Sequence, residues 1–168
     1  MNTEHFTATV RKAFGTAQTI AVRRNHQRMT ELHFLAALLE DDGQAASRLL
    51  MRSGAAIDAL NDGLETALSK LPEVTGSGAD NLQIDSGLGR IVADAESWTK
   101  QRGDSFISVD AMLMAICAGK STAAKLLSTA GVQKKQLESV IHEQRKGRTI
   151  DSDISDEMME SLSKYATD

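Results

Sequence analysis

Three groups of residues have side chains that invite chemistry. Gly119-Lys120-Ser121 carries the ending of a phosphate-binding loop, in which a lysine and a hydroxyl meet the phosphates of a nucleotide. Such a loop needs an earlier glycine, five residues before the Gly-Lys pair, so that backbone amides can curl around the phosphates, and Met114 holds that place. The surrounding apolar pattern is helical, so a turn between helices is expected here and not a nucleotide site. His5, His26, His33 and His142 are too scattered to propose a metal site; His26 and His33 stand seven apart, but a loop and a helix cap intervene. Structural roles are expected for all four. Glu40, Asp41 and Asp42 crowd a helix end and read as solvated loop residues, not as an acid/base pair.

Cys117 has no second cysteine to pair with, which excludes a disulfide framework and a cysteine-rich metal site. Small and apolar residues share its helix face, so a core position is expected and not a nucleophile. No nucleophile, base and orienting group can be assembled. The expectation is a binding domain that is not an enzyme and holds neither metal nor cofactor.

The elements that position these residues come in two copies. Thr30 followed by Glu31 to Leu39 lines up with Ser108 followed by Val109 to Cys117, a hydroxyl residue and the same apolar rhythm 78 residues on. Ala46-Ser47-Arg48-Leu49-Leu50 followed by Gly54 returns as Ala123-Ala124-Lys125-Leu126-Leu127 followed by Gly131, one residue out of step. Each copy exposes an apolar face that its twin can cover. Apolar spacing predicts a first helix from about Phe6 to Arg24 with Thr3 as its cap, a second from Thr30 to Leu39, a third stopping at Gly54 and a fourth ending before Pro72. The second copy repeats the series through Leu88, Ile91 and Trp98, Ser108 as a cap, Ala123 to Leu127, and Leu137 to Ile141. The expected fold is all-α: two pseudo-twofold-related four-helix repeats, then a linker and a short C-terminal helix over Asp156 to Tyr165. Repeat one spans about 1–70, a connector 71–83, repeat two about 84–145, and 146–168 the linker and its helix, which reads as leading into a longer protein.

Composition agrees. With 168 residues, 41% hydrophobic and 25% charged, one proline and 4% aromatic residues, the chain favours helix over sandwich or barrel. A net charge of -4 argues against a nucleic-acid partner, which would call for a basic face. The basic clusters Arg23-Arg24 with Arg28, and Arg145 to Arg148, read as solvated helix ends. Neither an export signal nor a membrane-length apolar run is present, and a cytoplasmic location with no membrane partner is expected.

The duplication also works as a filter. Positions that keep their character in both copies serve the fold; positions that diverge are free for another use. Asp104 stands where the first copy has His26, and Asp110 where it has Leu32. A turn and a helix start suit both carboxylates structurally, yet they are the divergent pair.

The run from Phe6-Thr7 to Ala17-Gln18, with Asn25-His26-Gln27, Thr30 to His33, Ala36 to Leu39, Leu71-Pro72 and Gly76-Ser77-Gly78, resembles the double Clp N-terminal repeat family. Lys100 to Ser108, Arg145 to Arg148 and the tail Leu162 to Asp168 resemble its disaggregase branch more narrowly. Glu31 stands where the family often has proline. The resemblance implies a domain that captures unfolded or aggregated polypeptide and passes it to the ATPase ring of a hexameric parent, where ATP and magnesium would bind. It implies an apolar groove near the first helix, edged by Thr7, Asp104 and Asp110 and lined by Val10, Leu88 and Ile91. The alternative in the same family is the N-domain of a degradative Clp unfoldase that docks an adaptor protein.

Overall fold

A computed structural model describes residues 3–75 and 82–154. Gly76-Ser77-Gly78, the expected helix from Asp156 and the tail from Leu162 lie outside them. The described chain forms α1 (Ala8–Arg23), β1 (Arg28–Met29), α2 (Glu31–Glu40), α3 (Ala45–Arg52), α4 (Ile57–Ser69), β2 (Gln83–Ile84), α5 (Ser86–Gln101), α6 (Val109–Ala118), α7 (Thr122–Thr129) and α8 (Lys134–Arg145). The all-α expectation holds, with a two-residue parallel pairing of β1 and β2 added.

Helix starts follow local hydrogen-bond accounting. The Thr30 hydroxyl accepts from Leu32 N–H, Ser108 from Ala111 N–H and Ser121 from Ala124 N–H, satisfying amides that the first turn leaves without partners. The expected cap at Thr3 is corrected: Thr7 is the N-cap of α1, its hydroxyl accepting from Val10 N–H. Its backbone is held extended because Thr7 N–H donates to Ile107 O at 3.0 Å, which fixes where α1 can begin. Asp85, 78 residues later, caps α5 in the same way.

The repeats exchange their leading segments. Phe6, just before α1, bridges Ile107 in the turn ahead of α6; Ile84, just before α5, pairs with Met29 in the turn ahead of α2. Gly54 and Gly131, repeat equivalents with φ of +100° and +106°, face one another so closely that a Cβ on Gly131 would stand 2.8 Å from the Gly54 carbonyl oxygen. Ala56 N–H donates to Ala130 O beside them. The pseudo-twofold axis is marked by this contact, and only residues without Cβ fit both the backbone angle and the approach. Around it α2 and α6 are the innermost helices, with Phe34, Leu35, Leu38, Met112, Leu113 and Ile116 all sealed from solvent.

Gly119 ends α6 and Ser121 caps α7, so the phosphate-loop fragment is a turn between helices, as expected. Cys117 is half-buried against the core, where burial pushes its thiol pKa up. No described helix is long and apolar enough to cross a membrane.

Candidate functional site: the charged edge of the second repeat

Arg145 closes α8 and points back into the protein. It is 2% exposed, which corrects the expectation of a solvated helix end. A buried guanidinium needs partners for its donors, and the two repeat-divergent carboxylates supply them. Nη1 donates to Asp104 Oδ2 at 2.7 Å, while Nε and Nη2 grip the two oxygens of Asp110 at 2.8 Å each. Nη2 also donates to Ser108 Oγ, and Ser108 in turn donates to Asp110. The guanidinium lies 5.3 Å from the Trp98 ring centroid. Burial alone would lower the arginine pKa; the hydrogen bonds and charge of Asp110, then of Asp104, outweigh it and raise it. No local pattern pairs the members of this triad, because the three residues come from the start of α6, the turn before it and the end of α8.

One oxygen of Asp104 remains, and it is taken by chain. Past α8 the backbone turns through two left-handed residues, Lys146 and Gly147, and runs back across the α5–α6 turn. There Ile150 N–H donates to Asp104 Oδ1 at 2.9 Å and Ser105 N–H donates to Ile150 O at 2.7 Å. Further on, Ala8 N–H at the start of α1 donates to Asp153 O, and Arg11 pairs with the Asp153 carboxylate at 3.1 Å. Asp104 and the N-terminus of α1 capped by Thr7 are thereby joined by one segment, residues 148–153, irregular through Asp151 and bent at Ser152. Asp110 reaches the same edge through Arg145.

The remaining expected site residues lie inside. Thr7, Val10 and Leu88 are fully buried and Ile91 is 5% exposed, so the apolar trio belongs to the core in this arrangement.

The first repeat answers the same position differently. His26, the counterpart of Asp104, places Nδ1 2.8 Å from Nε2 of buried His33. Thr30 N–H donates to His33 Nδ1, so that nitrogen is unprotonated, and Nε2 carries the hydrogen donated to His26. Burial, then His26 and Arg24, lower the His33 pKa to about 4; burial, then Arg24, also lower that of His26. Seven-residue spacing across a loop concealed this contact. A structural role was the expectation, and the dyad fulfils one by completing the capping box of α2. Beside it, a cleft of about 230 Å³ is lined by His26, Thr30, Leu71, Pro72, Val74 and Asp85 among others.

The Clp repeat (R) N-terminal domain family model matches residues 5–130. The chain belongs to this family. Over its whole length it is 39% identical to the chaperone protein ClpB of Mesorhizobium japonicum and 40% identical to that of Rhizobium meliloti. The match is to the N-terminal region, and the chain spans about a fifth of each relative, 19% of its length. In structure it resembles the Hsp104 N-terminal domain from Candida albicans, with a TM-score of 0.79 and 23% identity over 91% of this chain and 99% of that one. The N-terminal domain of ClpD from Arabidopsis thaliana superposes with a TM-score of 0.63 and 15% identity over 85% and 99%. These likenesses carry the fold: a Clp N-domain of two four-helix repeats. The family match runs through Asp104 and Asp110 and stops short of Arg145 and the segment after it.

Proposed function

We propose that this Clp N-domain captures unfolded or aggregated polypeptide at the edge formed by Thr7, Asp104 and Asp110 and delivers it to the ATPase ring of a ClpB-type disaggregase. A single observation carries the reading: an irregular segment of chain lies across this edge, held by Asp104, Ser105 and Ala8 through its backbone. Backbone bonds are indifferent to side-chain identity, which is what a catcher of many different clients requires. The burial of Ile150 beside this edge supports a place there for an aliphatic side chain, whose removal from water contributes affinity in proportion to area. Val10, Leu88 and Ile91 stand behind the edge as its apolar floor in this reading.

The carboxylates act differently from a simple acidic rim. Arg145 neutralises part of their charge, so in this reading the free oxygen of Asp104 favours a backbone amide, such as that of Ile150, over a basic side chain. The match to ClpB relatives over the full chain favours a disaggregase over a degradative unfoldase that docks an adaptor. Titrating the isotope-labelled chain with a reduced, carboxymethylated protein tests the proposal. Amide shifts at Ala8, Asp104, Ser105 and Asp110 are expected; shifts confined to other surfaces would sink the site.

A further inference from the structure

We infer that residues 148–153 are a resident occupant of the client edge, seated as a client would be and displaced when one binds. The inference rests on the function proposed above and deepens it, because the strap then reports what the edge accepts.

The strap is held in the manner of a bound peptide. Ile150 forms two backbone bonds to neighbours on the α5–α6 turn, one donated to Asp104 and one accepted from Ser105. Its side chain is 1% exposed while Arg148, Thr149 and Asp151 on either side are exposed, so a single aliphatic anchor seats an otherwise open stretch. Three residues on, Asp153 accepts from an amide at the start of α1 and pairs with Arg11 across a half-exposed contact. The pattern is an aliphatic residue in irregular chain, followed three residues later, past a bend at Ser152, by a carboxylate.

The first repeat offers a comparison for this segment. In the first repeat the chain after α4 passes the equivalent turn, where Val74 N–H donates to Asn25 O. That connector is tied covalently between α4 and α5. Among the described residues the strap joins one helix, α8, through the left-handed pair Lys146 and Gly147. Arg145 lies before this hinge and keeps both carboxylates in place when the strap lifts. Lifting it exposes one acceptor, Asp104 Oδ1, and two donors, Ser105 N–H and Ala8 N–H, to the backbone of an incoming chain.

Competition decides the matter. The full 168-residue chain and its Ile150→Ser variant are compared by NMR, titrated with a reduced, carboxymethylated protein and, separately, with the acetylated hexapeptide of residues 148–153. Ile150→Ser is expected to deprotect the Ser105 and Ala8 amides, to dock the hexapeptide there, and to bind the unfolded protein about ten-fold more tightly, since no occupant has to be displaced. Asp153→Asn, which removes the ion pair with Arg11 without adding charge, should move client affinity the same way by about two- to three-fold. Failure of the hexapeptide to dock on the deprotected variant would overturn the strap as an occupant. So would client binding that leaves the Ser105 and Ala8 amides of the unaltered chain protected. Docking of the hexapeptide with no client binding to either chain would uphold the occupant and remove the client function instead.

Discussion

Asp104 and Arg145, 41 residues apart in the chain, meet at 2.7 Å with side chains 0% and 2% exposed. Removing one member of such a pair strands the other charge away from water. Asp104→Ala and Arg145→Ala are each expected to cost about 3 kcal/mol in urea unfolding. The double variant should lose clearly less than the two single losses added together, and strict additivity would show the pair to be uncoupled. A loss of client binding in Asp104→Ala therefore has to be read beside its stability.

The histidine dyad sets an acid limit. An unfolded histidine titrates near pH 6.5, whereas His33 in the fold is held at about 4, so between those values the unfolded chain binds a proton that the native one refuses. Stability is complete above pH 6.5 and falls as the pH drops toward 4, by roughly 2 to 3 kcal/mol at about 1.4 kcal/mol per unit. Urea midpoints at pH 7.5 and pH 5 measure this, and His33→Gln should flatten the slope.

Gly131 and Gly15 separate two kinds of glycine. Gly131 has φ of +106° and no room for a Cβ, so Gly131→Ala should cost about 1 to 3 kcal/mol in thermal or urea unfolding. Gly15 lies within α1 with nothing within 4 Å of an added Cβ, so Gly15→Ala should gain about 0.5 to 1 kcal/mol. Equal effects at both sites would contradict the close approach on the pseudo-twofold axis.

Cys117 should react slowly. Its thiol is half-buried and its pKa raised, so at pH 8 a disulfide-exchange reagent should label it several-fold more slowly than a small-molecule thiol, with the difference vanishing in denaturant.

Much of the fold was legible because helices are written locally. Apolar residues at helical spacing, hydroxyl caps at Thr30 and Ser108, and glycine stops at Gly54 and Gly131 are short-range signals, and the duplication supplied each of them twice. Thr3 offers a hydroxyl ahead of the first apolar run, whereas Thr7, the true cap of α1, matches Asp85, the cap of α5, 78 residues on. The bridge from Phe6 to Ile107 that fixes it is a contact between repeats, invisible to a pattern read within one of them.

By itself the sequence determined the all-α class, the two-fold repetition and the divergence of Asp104 and Asp110 between the copies, since periodicity and repeat comparison need no three-dimensional information. The tertiary structure alone decided what those carboxylates touch. Arg145 reads as one member of a basic run after a helix, and nothing local distinguishes a solvated cation from a buried one. It is placed by the packing of α8 against α6, which brings a guanidinium to two carboxylates and the chain beyond it to the edge of α1. Long-range electrostatic pairing depends on which helix ends converge, and convergence is a property of the packed core.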